Sequence, residues 1–359
     1  MKIIHCSDLH LDSKMETNLN KEKAKERKNE ILLTFEKMVD FAKKNGVKVI
    51  IIAGDMFDKK NISVKAKKIV KNQIILNPEI DFLYLKGNHD EINCIEEEEE
   101  IPSNLKLFNG KEWVTYKYGD IAVTGIEIGK QNNYNIYNSL ILEKNDINIV
   151  VMHGQESQND VKDKVEIINL KDLKNKNIDY LALGHIHTFK QEKLDNRGIY
   201  CYSGCLEGRG FDECGEKGFV LLDIEDKQIK TQFIPIAKRT LHEINIDITG
   251  ITENYDIEQK IEEETNKISR DDLIKIVLKG KVEAGTTRDI DYLKKKYEDR
   301  FYCIKIYDET TLNIDYMKHQ NDASLKGEFI RLVLEQDLTD EEKGKIINTG
   351  IRALLGEEV

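Results

Sequence analysis

The chain has 359 residues, of which 40% are hydrophobic and 34% charged, and its net charge is −11. This length fits one large domain with one or two smaller ones, and the composition is that of a globular protein. A membrane-spanning protein, a disulfide framework and a P-loop ATPase are all disfavoured, because there is no long apolar run, no Cys-x-x-Cys pair and no Gly-x-x-x-x-Gly-Lys-Ser/Thr motif.

The N-terminal residues are typical of an opening β-strand and not of a signal peptide. The six cysteines are scattered, as in proteins of a reducing compartment, so we expect a cytoplasmic location. Nucleic-acid binders are usually basic overall, so the acidic balance gives no support to DNA binding, although local patches and metals decide such binding.

The first two-thirds of the chain alternate strand and helix patterns. A helix is predicted around the apolar stripe Leu32, Phe35, Val39 and Ala42, and another from about residue 63 to 75. Alternation of this kind favours an α/β layered core. Strand–turn–strand patterns at 112–126 and 188–234 indicate a mixed sheet or sandwich. Five short runs rich in Ile and Val are predicted to be buried strands: 2–6, 47–53, 82–86, 147–152 and 180–183.

The pattern changes near residues 235–239. Strand patterns at 241–248, 273–278 and 302–306, around a charged helix pattern at 257–268, predict a small α+β domain. Two apolar stripes follow, at 329–334 and 346–355, and Thr339-Asp340-Glu341-Glu342 has the spacing of a capping box at the start of the second helix. The predicted domains are therefore 1–238, 239–312 and a helical tail, 313–359.

A polar motif follows each of the five predicted buried strands of the first domain. Singly, most such motifs are structural turns, but five in order at strand ends predict one shared site. Nitrogen and oxygen ligands without thiolate favour Mn²⁺, Fe²⁺ or Zn²⁺ over Ca²⁺. A pair of such ions would serve a two-metal hydrolase. The motifs are Asp8-Leu9-His10, Gly54-Asp55, Gly87-Asn88-His89-Asp90, His153-Gly154 and Gly184-His185-Ile186-His187.

Individual roles follow from residue chemistry. Asp55 is the natural bridging ligand, because an unpaired carboxylate after an apolar strand is costly. Asn88 offers a neutral amide oxygen, and His89 beside it could protonate a leaving alkoxide. Asp58 and Asp90 either orient ligands or are ordinary loop carboxylates.

Together these motifs resemble the calcineurin-like metallophosphoesterase superfamily over residues 1–235. The resemblance implies a four-layer α/β/β/α sandwich with two divalent metal ions at one edge, and it matches His89 to the catalytic histidine. It implies one metal held by Asp8, His10, Asp55 and His187, and a second held by Asp55, Asn88, His153 and His185.

A narrower resemblance is to the DNA repair exonucleases, the nuclease subunits of SbcCD-type complexes. It is carried by residues 4–12, 54–58, 202–204, 208–213 and 217–218. It implies a metal-dependent DNA exonuclease or endonuclease of repair and recombination, with a capping domain and C-terminal helices that grip the coiled coil of a large SbcC-type ATPase. Among the metals that the donor set suits, we expect two Mn²⁺ ions per chain. A homodimer is a further expectation. The segment Ser203-Gly204-Cys205-Leu206 replaces the more usual Gly-Ser-Pro, and the tail is short, which suggests a divergent bacterial branch with its own partner.

A DNA nuclease is the favoured interpretation of the function, and it has two rivals. A small-molecule or protein phosphoesterase is disfavoured by the extra domain and the tail, and a non-catalytic scaffold is disfavoured because no ligand position is missing. Among the lysines after the Gly-Asp motif, Lys59, Lys60, Lys65 and Lys68 would track a DNA backbone if the protein is a nuclease. Equally, they would form a solvated helix face.

Overall fold

The structure, a computed structural model, describes residues 1–15, 19–58, 62–90, 101–129, 136–157, 166–282, 288–312 and 323–354. The chain divides into two compact units, Met1–Leu241 and His242–Val359. Among the described residues, no helix is both long and apolar enough to cross a membrane.

The described part of the first unit contains fourteen strands, three α-helices and one 3₁₀ turn at Ile136–Ser139. The helices are α1 (Lys21–Lys44), α2 (Val64–Ile75) and α3 (Leu170–Leu173). The strands are β1 (Lys2–Cys6), β2 (Val49–Ala53), β3 (Asp81–Leu85), β4 (Leu105–Leu107), β5 (Val114–Tyr118), β6 (Ile121–Gly125), β7 (Ile147–His153), β8 (Gln155–Ser157), β9 (Ile167–Asn169), β10 (Tyr180–Gly184), β11 (Lys190–Lys193), β12 (Ile199–Tyr202), β13 (Gly218–Glu225) and β14 (Gln228–Pro235).

Two six-stranded sheets form the centre of this unit, in the orders β14-β13-β1-β2-β3-β4 and β11-β12-β10-β7-β6-β5. Residues of both sheets, among them Ile3 and Val49 of the first and Ile149 and Ala182 of the second, share one buried cluster between the sheets. The strand–helix alternation therefore folds as a sandwich, as predicted.

Helices cover the outer faces of the sandwich. Helix α1 begins at Asn20, whose side chain accepts a hydrogen bond from the Lys23 backbone N–H at 2.9 Å and so caps the first turn. Its predicted apolar stripe is buried against the first sheet together with α2. Among the described residues, the 3₁₀ turn, α3 and loops cover the second sheet. The predicted α/β/β/α layering is thus confirmed.

The strand directions bring the carboxyl ends of five strands to one edge. Strands β1, β2 and β3 are parallel neighbours in the first sheet, and β7 and β10 are parallel neighbours in the second. The two sheets approach very closely there, since a Cβ placed on Gly184 would lie 1.9 Å from the Ala53 carbonyl oxygen. Each of the five predicted motifs lies at or just after one of these five strand ends.

The second unit contains an α+β body and a helical hairpin. Its strands are β15 (Leu241–Asp247), β16 (Leu273–Lys279), β17 (Lys281–Val282), β18 (Cys303–Asp308) and β19 (Thr311–Leu312). The helices in its described residues are α4 (Asn254–Thr265), α5 (Ile290–Tyr297), α6 (Leu325–Leu334) and α7 (Asp340–Leu354). Strands β15, β16 and β18 form one sheet, and β17 pairs with β19.

Helices α6 and α7 bury much of their apolar surface against each other. Ile330 and Val333 of α6 meet Ile347 and Ile351 of α7 in a buried cluster. The predicted capping box is confirmed: the Thr339 backbone N–H donates to Glu342 Oε2 at 2.9 Å, and the Glu342 N–H donates back to Thr339 Oγ1 at 3.3 Å.

Candidate active site

The loops after the strands hold several of the predicted ligands in the left-handed backbone region. The φ angles are +52° at Asp8, +43° at His10, +52° at Asp55 and +103° at His185. Non-glycine residues adopt this region at a cost, so the surrounding structure must enforce it. Two loop-to-loop bonds do so: Asp8 N–H donates to the Gly54 carbonyl, and His10 N–H to the Asp55 carbonyl, each at 3.0 Å.

One group of side chains comprises Asp8, His10 and His187, whose ligand atoms all lie within 4.8 Å of one another. The Nε2 atoms of His10 and His187 are 3.2 Å apart. Asp8 Oδ1 lies 3.8 Å from His187 Nε2, and Asp55 Oδ2 lies 3.8 Å from His10 Nε2. The two imidazoles thus point their Nε2 atoms at a common centre, which we call the first position.

A second group forms around His153. Its Nε2 lies 3.0 Å from Asn88 Oδ1 and 3.4 Å from Asp55 Oδ2. We call this the second position. The same Asp55 oxygen faces both His10 and His153, as a bridging ligand would. His185 is beside this group, with its ring edge-on to that of His153 at a centroid distance of 5.4 Å.

The orientation of the three imidazoles favours metal binding. In each ring Nδ1 faces an acceptor outside the centre: Asp58 Oδ1 at 3.1 Å for His10, Glu213 Oε1 at 2.7 Å for His187 and the Ala53 carbonyl at 2.9 Å for His153. A ring that donates Nδ1–H outward keeps its Nε2 lone pair for the centre. Converging Nε2 lone pairs and carboxylate oxygens are a donor set that fits divalent transition metals.

The electrostatics agree with that assignment. Burial by itself raises the pKa of Asp55, but the hydrogen bond and charge of His153, with smaller contributions from His89 and His10, outweigh it and lower the pKa to about 2. Burial likewise lowers the pKa of His153, but Asp55 and Asp8 outweigh it and raise the pKa to about 9. The carboxylates therefore favour positive charge at this centre, which divalent cations supply.

Asp58 and Asp90 both hydrogen-bond to residues of this centre or of the loops that carry it. Asp58 accepts from His10 Nδ1, so it orients the imidazole of a predicted ligand. Asp90 accepts backbone N–H bonds from Phe57 at 2.9 Å and Gly87 at 3.0 Å, so it fixes the two loops that carry Asp55 and Asn88.

Sequence reasoning missed Glu213 and Arg209 as partners of the site. Glu213 is buried against His187, and Arg209 donates to Glu213 Oε1 at 2.8 Å. Their only signal is the resemblance of residues 208–213 to the repair nucleases. Ser203, in the segment that departs from Gly-Ser-Pro, lies 2.8 Å from Ser7 Oγ, which in turn donates to Asp8.

His89 and the lysines are placed differently. The His89 side chain is 49% exposed, and its Nδ1 lies 3.9 Å from Asp58 Oδ1, so it stands at the open side of the centre. Lys65 and Lys68 are exposed on α2, where Lys65 donates to Asn29 at 2.7 Å. Lys59 and Lys60 lie outside the described residues. A DNA-binding role for these lysines stays a prediction.

Comparison with known proteins places the chain in a family. The family model described as Calcineurin-like phosphoesterase matches residues 1–189, more than half of the chain. The chain belongs to this family. Its members use a dimetal centre, and the residues gathered above are those that could hold one here. Membership in this family confirms the predicted phosphoesterase fold and implies that the chain is a phosphoester hydrolase.

Several relatives resemble this calcineurin-like phosphoesterase over most of its length. The uncharacterized metallophosphoesterase YhaO of Bacillus subtilis is 25% identical over 294 residues, 78% of this chain and 72% of its own. The DNA double-strand break repair protein Mre11 of Saccharolobus solfataricus is 26% identical and covers 100% of this chain and 96% of its own. A dimetal phosphatase from Danio rerio superposes on 65% of this chain and 95% of its own with a TM-score of 0.42 at 9% identity, too distant to bear on function.

Proposed function

We propose that this phosphoesterase is a metal-dependent DNA nuclease subunit of a DNA repair complex. The observation that carries the hydrolytic part is the convergence of Nε2 of His10, His187 and His153 on the carboxylates of Asp8 and Asp55. Support for DNA as the substrate comes from the similarity to Mre11, which spans the whole of this chain.

The proposed first position takes Asp8, His10, Asp55 and His187, and the second takes Asp55, Asn88, His153 and His185. Two divalent cations bound there, of which Mn²⁺ is our first choice, would activate a water and hold the phosphoryl oxygens. Asp58, Glu213 and the Ala53 carbonyl keep the imidazoles in the tautomer that binding needs.

His89 is the proposed general acid. Its backbone N–H donates to Asp55 Oδ1 at 2.9 Å, which fixes its place beside the centre, and its half-exposed ring would meet the leaving alkoxide from the open side. The residue is thus held by its main chain and acts through its ring.

A large coiled-coil ATPase of SbcC type is the proposed partner, and the hairpin of α6 and α7 is the proposed contact. Leu332 is 52% exposed and Ile346 is 42% exposed, so the hairpin retains apolar surface after its two helices have packed. An amphipathic helix covers such surface by lying against a partner helix. A homodimer and a cytoplasmic location belong to the same proposal.

The substrate is tested by direct competition. Purified protein with Mn²⁺ is given linear double-stranded DNA and a chromogenic phosphomonoester at matched concentration, with Asp55→Asn as the inactive control. We expect faster hydrolysis of DNA and loss of both activities in the control, because Asp55 would help to hold both metals.

The rival function gives the opposite result. Efficient hydrolysis of phosphomonoesters, with DNA left intact even beside the partner ATPase, would identify a small-molecule or protein phosphoesterase. Equal activity of Asp55→Asn and wild type would contradict the proposed metal site itself.

A further inference from the structure

Arg209 joins two carboxylates that serve different histidines. Its Nη2 donates to Glu213 Oε1 at 2.8 Å and its Nε donates to the same oxygen at 3.1 Å, while its Nη1 donates to Asp58 Oδ1 at 3.3 Å. Its backbone N–H also donates to Glu213, to Oε2 at 2.7 Å. The Arg209 side chain is 20% exposed and that of Glu213 is 4% exposed, so water screens this network only weakly.

Each of these two carboxylates also accepts a hydrogen bond from a proposed ligand of the first position. Asp58 accepts from His10 Nδ1, and Glu213 accepts from His187 Nδ1. Because the 2.7 Å contact assigns the Nδ1 proton to His187, the 3.2 Å approach of Arg209 Nη2 to that nitrogen is not a hydrogen bond. It results from both groups sharing Glu213 Oε1. The second position is built differently, since His153 is held by a backbone carbonyl.

We propose that Arg209 is a positioning residue specific to the first metal position, where it fixes Asp58 and Glu213 and through them His10 and His187. This role rests on the proposed metal ligands, and it makes the orientation of His10 and His187 depend on one side chain. It predicts that substitution of Arg209, which is not itself a ligand, weakens the binding of the ion at the first position and leaves the affinity of the second position unchanged.

The chemistry of guanidinium explains why arginine is needed. Its planar, rigid fork donates to two carboxylates at once and holds them at a fixed separation. Without it, two negative carboxylates on the same side of the centre would repel each other, and each imidazole would lose its fixed orientation. A lysine restores the charge but not the fork, so it should rescue only in part.

The test counts ions by calorimetric titration of metal-free protein with Mn²⁺, using Arg209→Ala, Arg209→Lys and a control arginine. Arg197 is the matched control, because it donates through Nε and Nη2 to Asp179 and through Nη1 to the Lys144 carbonyl, on the surface away from the centre. We expect two ions in wild type and in Arg197→Ala. In Arg209→Ala one ion should keep its affinity and the other should weaken about 10–100-fold, the range for loss of an outer partner of a metal histidine.

A second variant guards against misfolding. Glu213→Gln keeps the shape and an acceptor for His187 but removes the charge that Arg209 pairs with, so it should weaken the same single ion, by less. Each variant removes one partner of a largely buried ion pair, so the melting temperature of the metal-free protein should fall below that of Arg197→Ala, but each variant should still unfold in one cooperative transition above the temperature of the titration.

Three outcomes would overturn the inference. Arg209→Ala that binds both ions as wild type does, with only KM raised, would make Arg209 a substrate contact. Loss of both ions together with a collapsed melting temperature in both variants would make its role structural. Equal weakening of both ions would remove the specificity for the first position. Failure of wild type to bind two ions would instead contradict the proposed function.

Discussion

Gly54 shows at the residue scale how little room the centre leaves. Its φ is +91°, and a Cβ placed there would lie 2.1 Å from His153 Nδ1. Gly119 also has a positive φ, +67°, but no atom lies within 4 Å of its Cβ position. Alanine at Gly119 therefore tests backbone strain alone, whereas alanine at Gly54 adds displacement of the His153 ring.

We predict that Gly54→Ala weakens Mn²⁺ binding at least about 10-fold, because the new methyl group must push the His153 ring out of line. Gly119→Ala should lower stability by only about 1–2 kcal/mol, the cost of a left-handed alanine, and leave metal affinity unchanged. Metal titration and urea unfolding of both variants measure this. Equal metal affinity in the two variants would contradict this prediction, because it would show that the His153 ring can move aside without loss of metal binding.

The residue scale also shows where sequence reasoning ends. Residue type and position after strands are enough to single out the proposed ligands, and the parallel strand order brings them to one edge. The sequence does not reveal the roles of Glu213 and Arg209, because their partners, His187 and Asp58, come close to them only in the folded chain. A carboxylate in a loop carries no sign of which imidazole it will meet.

At the scale of elements, α1 contains a buried charge network that its sequence pattern hides. Glu30 accepts from Arg27 Nη1 at 2.6 Å and from Arg239 Nη2 at 2.8 Å, and Arg27 Nη2 also donates to Glu207 at 2.9 Å. All four side chains are buried. Periodicity alone assigns Arg27 and Glu30 to the polar face of an amphipathic helix, because their partners lie in distant parts of the sequence.

Glu30→Gln should destabilise the first unit by about 3–5 kcal/mol at pH 7, since it leaves buried arginines without their charged partner. Burial raises the pKa of Glu30, but hydrogen bonds from Arg239, Lys238 and Arg27 outweigh it and lower the pKa to about 2 from an ordinary 4.5. A carboxyl with a lowered folded-state pKa stabilises fully above its unfolded pKa and loses that contribution as pH falls. The difference between wild type and Glu30→Gln should therefore narrow between about pH 4.5 and 2.

Urea unfolding of metal-free protein across this pH range measures the effect, with Glu79→Gln on the exposed surface as the control. A constant difference between wild type and Glu30→Gln over the whole range would show that the carboxyl titrates normally. A Glu30→Gln variant as stable as the control at neutral pH would show that the network contributes nothing.

At the scale of the whole molecule, the C-terminal hairpin bears the predicted interaction. The sequence contains two apolar stripes but does not say what covers them. In the structure part of each stripe packs on the other, which leaves a smaller exposed face. Neighbouring residues of α7 separate the two roles, because Ile347 is buried within the hairpin whereas Ile346 is 42% exposed.

We predict that Ile346→Asp abolishes capture of a coiled-coil ATPase while the hairpin stays folded, and that Ile347→Asp unfolds the hairpin. Truncation after residue 324 should also abolish capture and leave metal content and nuclease activity intact. Circular dichroism and pull-down of the partner from the native host distinguish these cases. Full-strength capture by the truncated protein would place the contact elsewhere.

The domain organisation expected from the sequence, 1–238, 239–312 and 313–359, stays a prediction. The two compact units of the structure meet in sequence after Leu241, and the hairpin belongs to the second unit. The sequence indicates a change of pattern near residue 235 but not whether the tail is a separate domain, because amphipathic stripes look the same on a free hairpin and on a docked one.

The central claim is that the side chains around Asp55 hold two divalent cations. Anomalous diffraction from a crystal of the protein grown with Mn²⁺ tests it directly. We predict two anomalous peaks about 3.5–4 Å apart, one beside Nε2 of His10 and His187, the other beside His153 Nε2 and Asn88 Oδ1, with Asp55 between them. A single peak, or peaks remote from Asp55 at saturating Mn²⁺, would contradict the account.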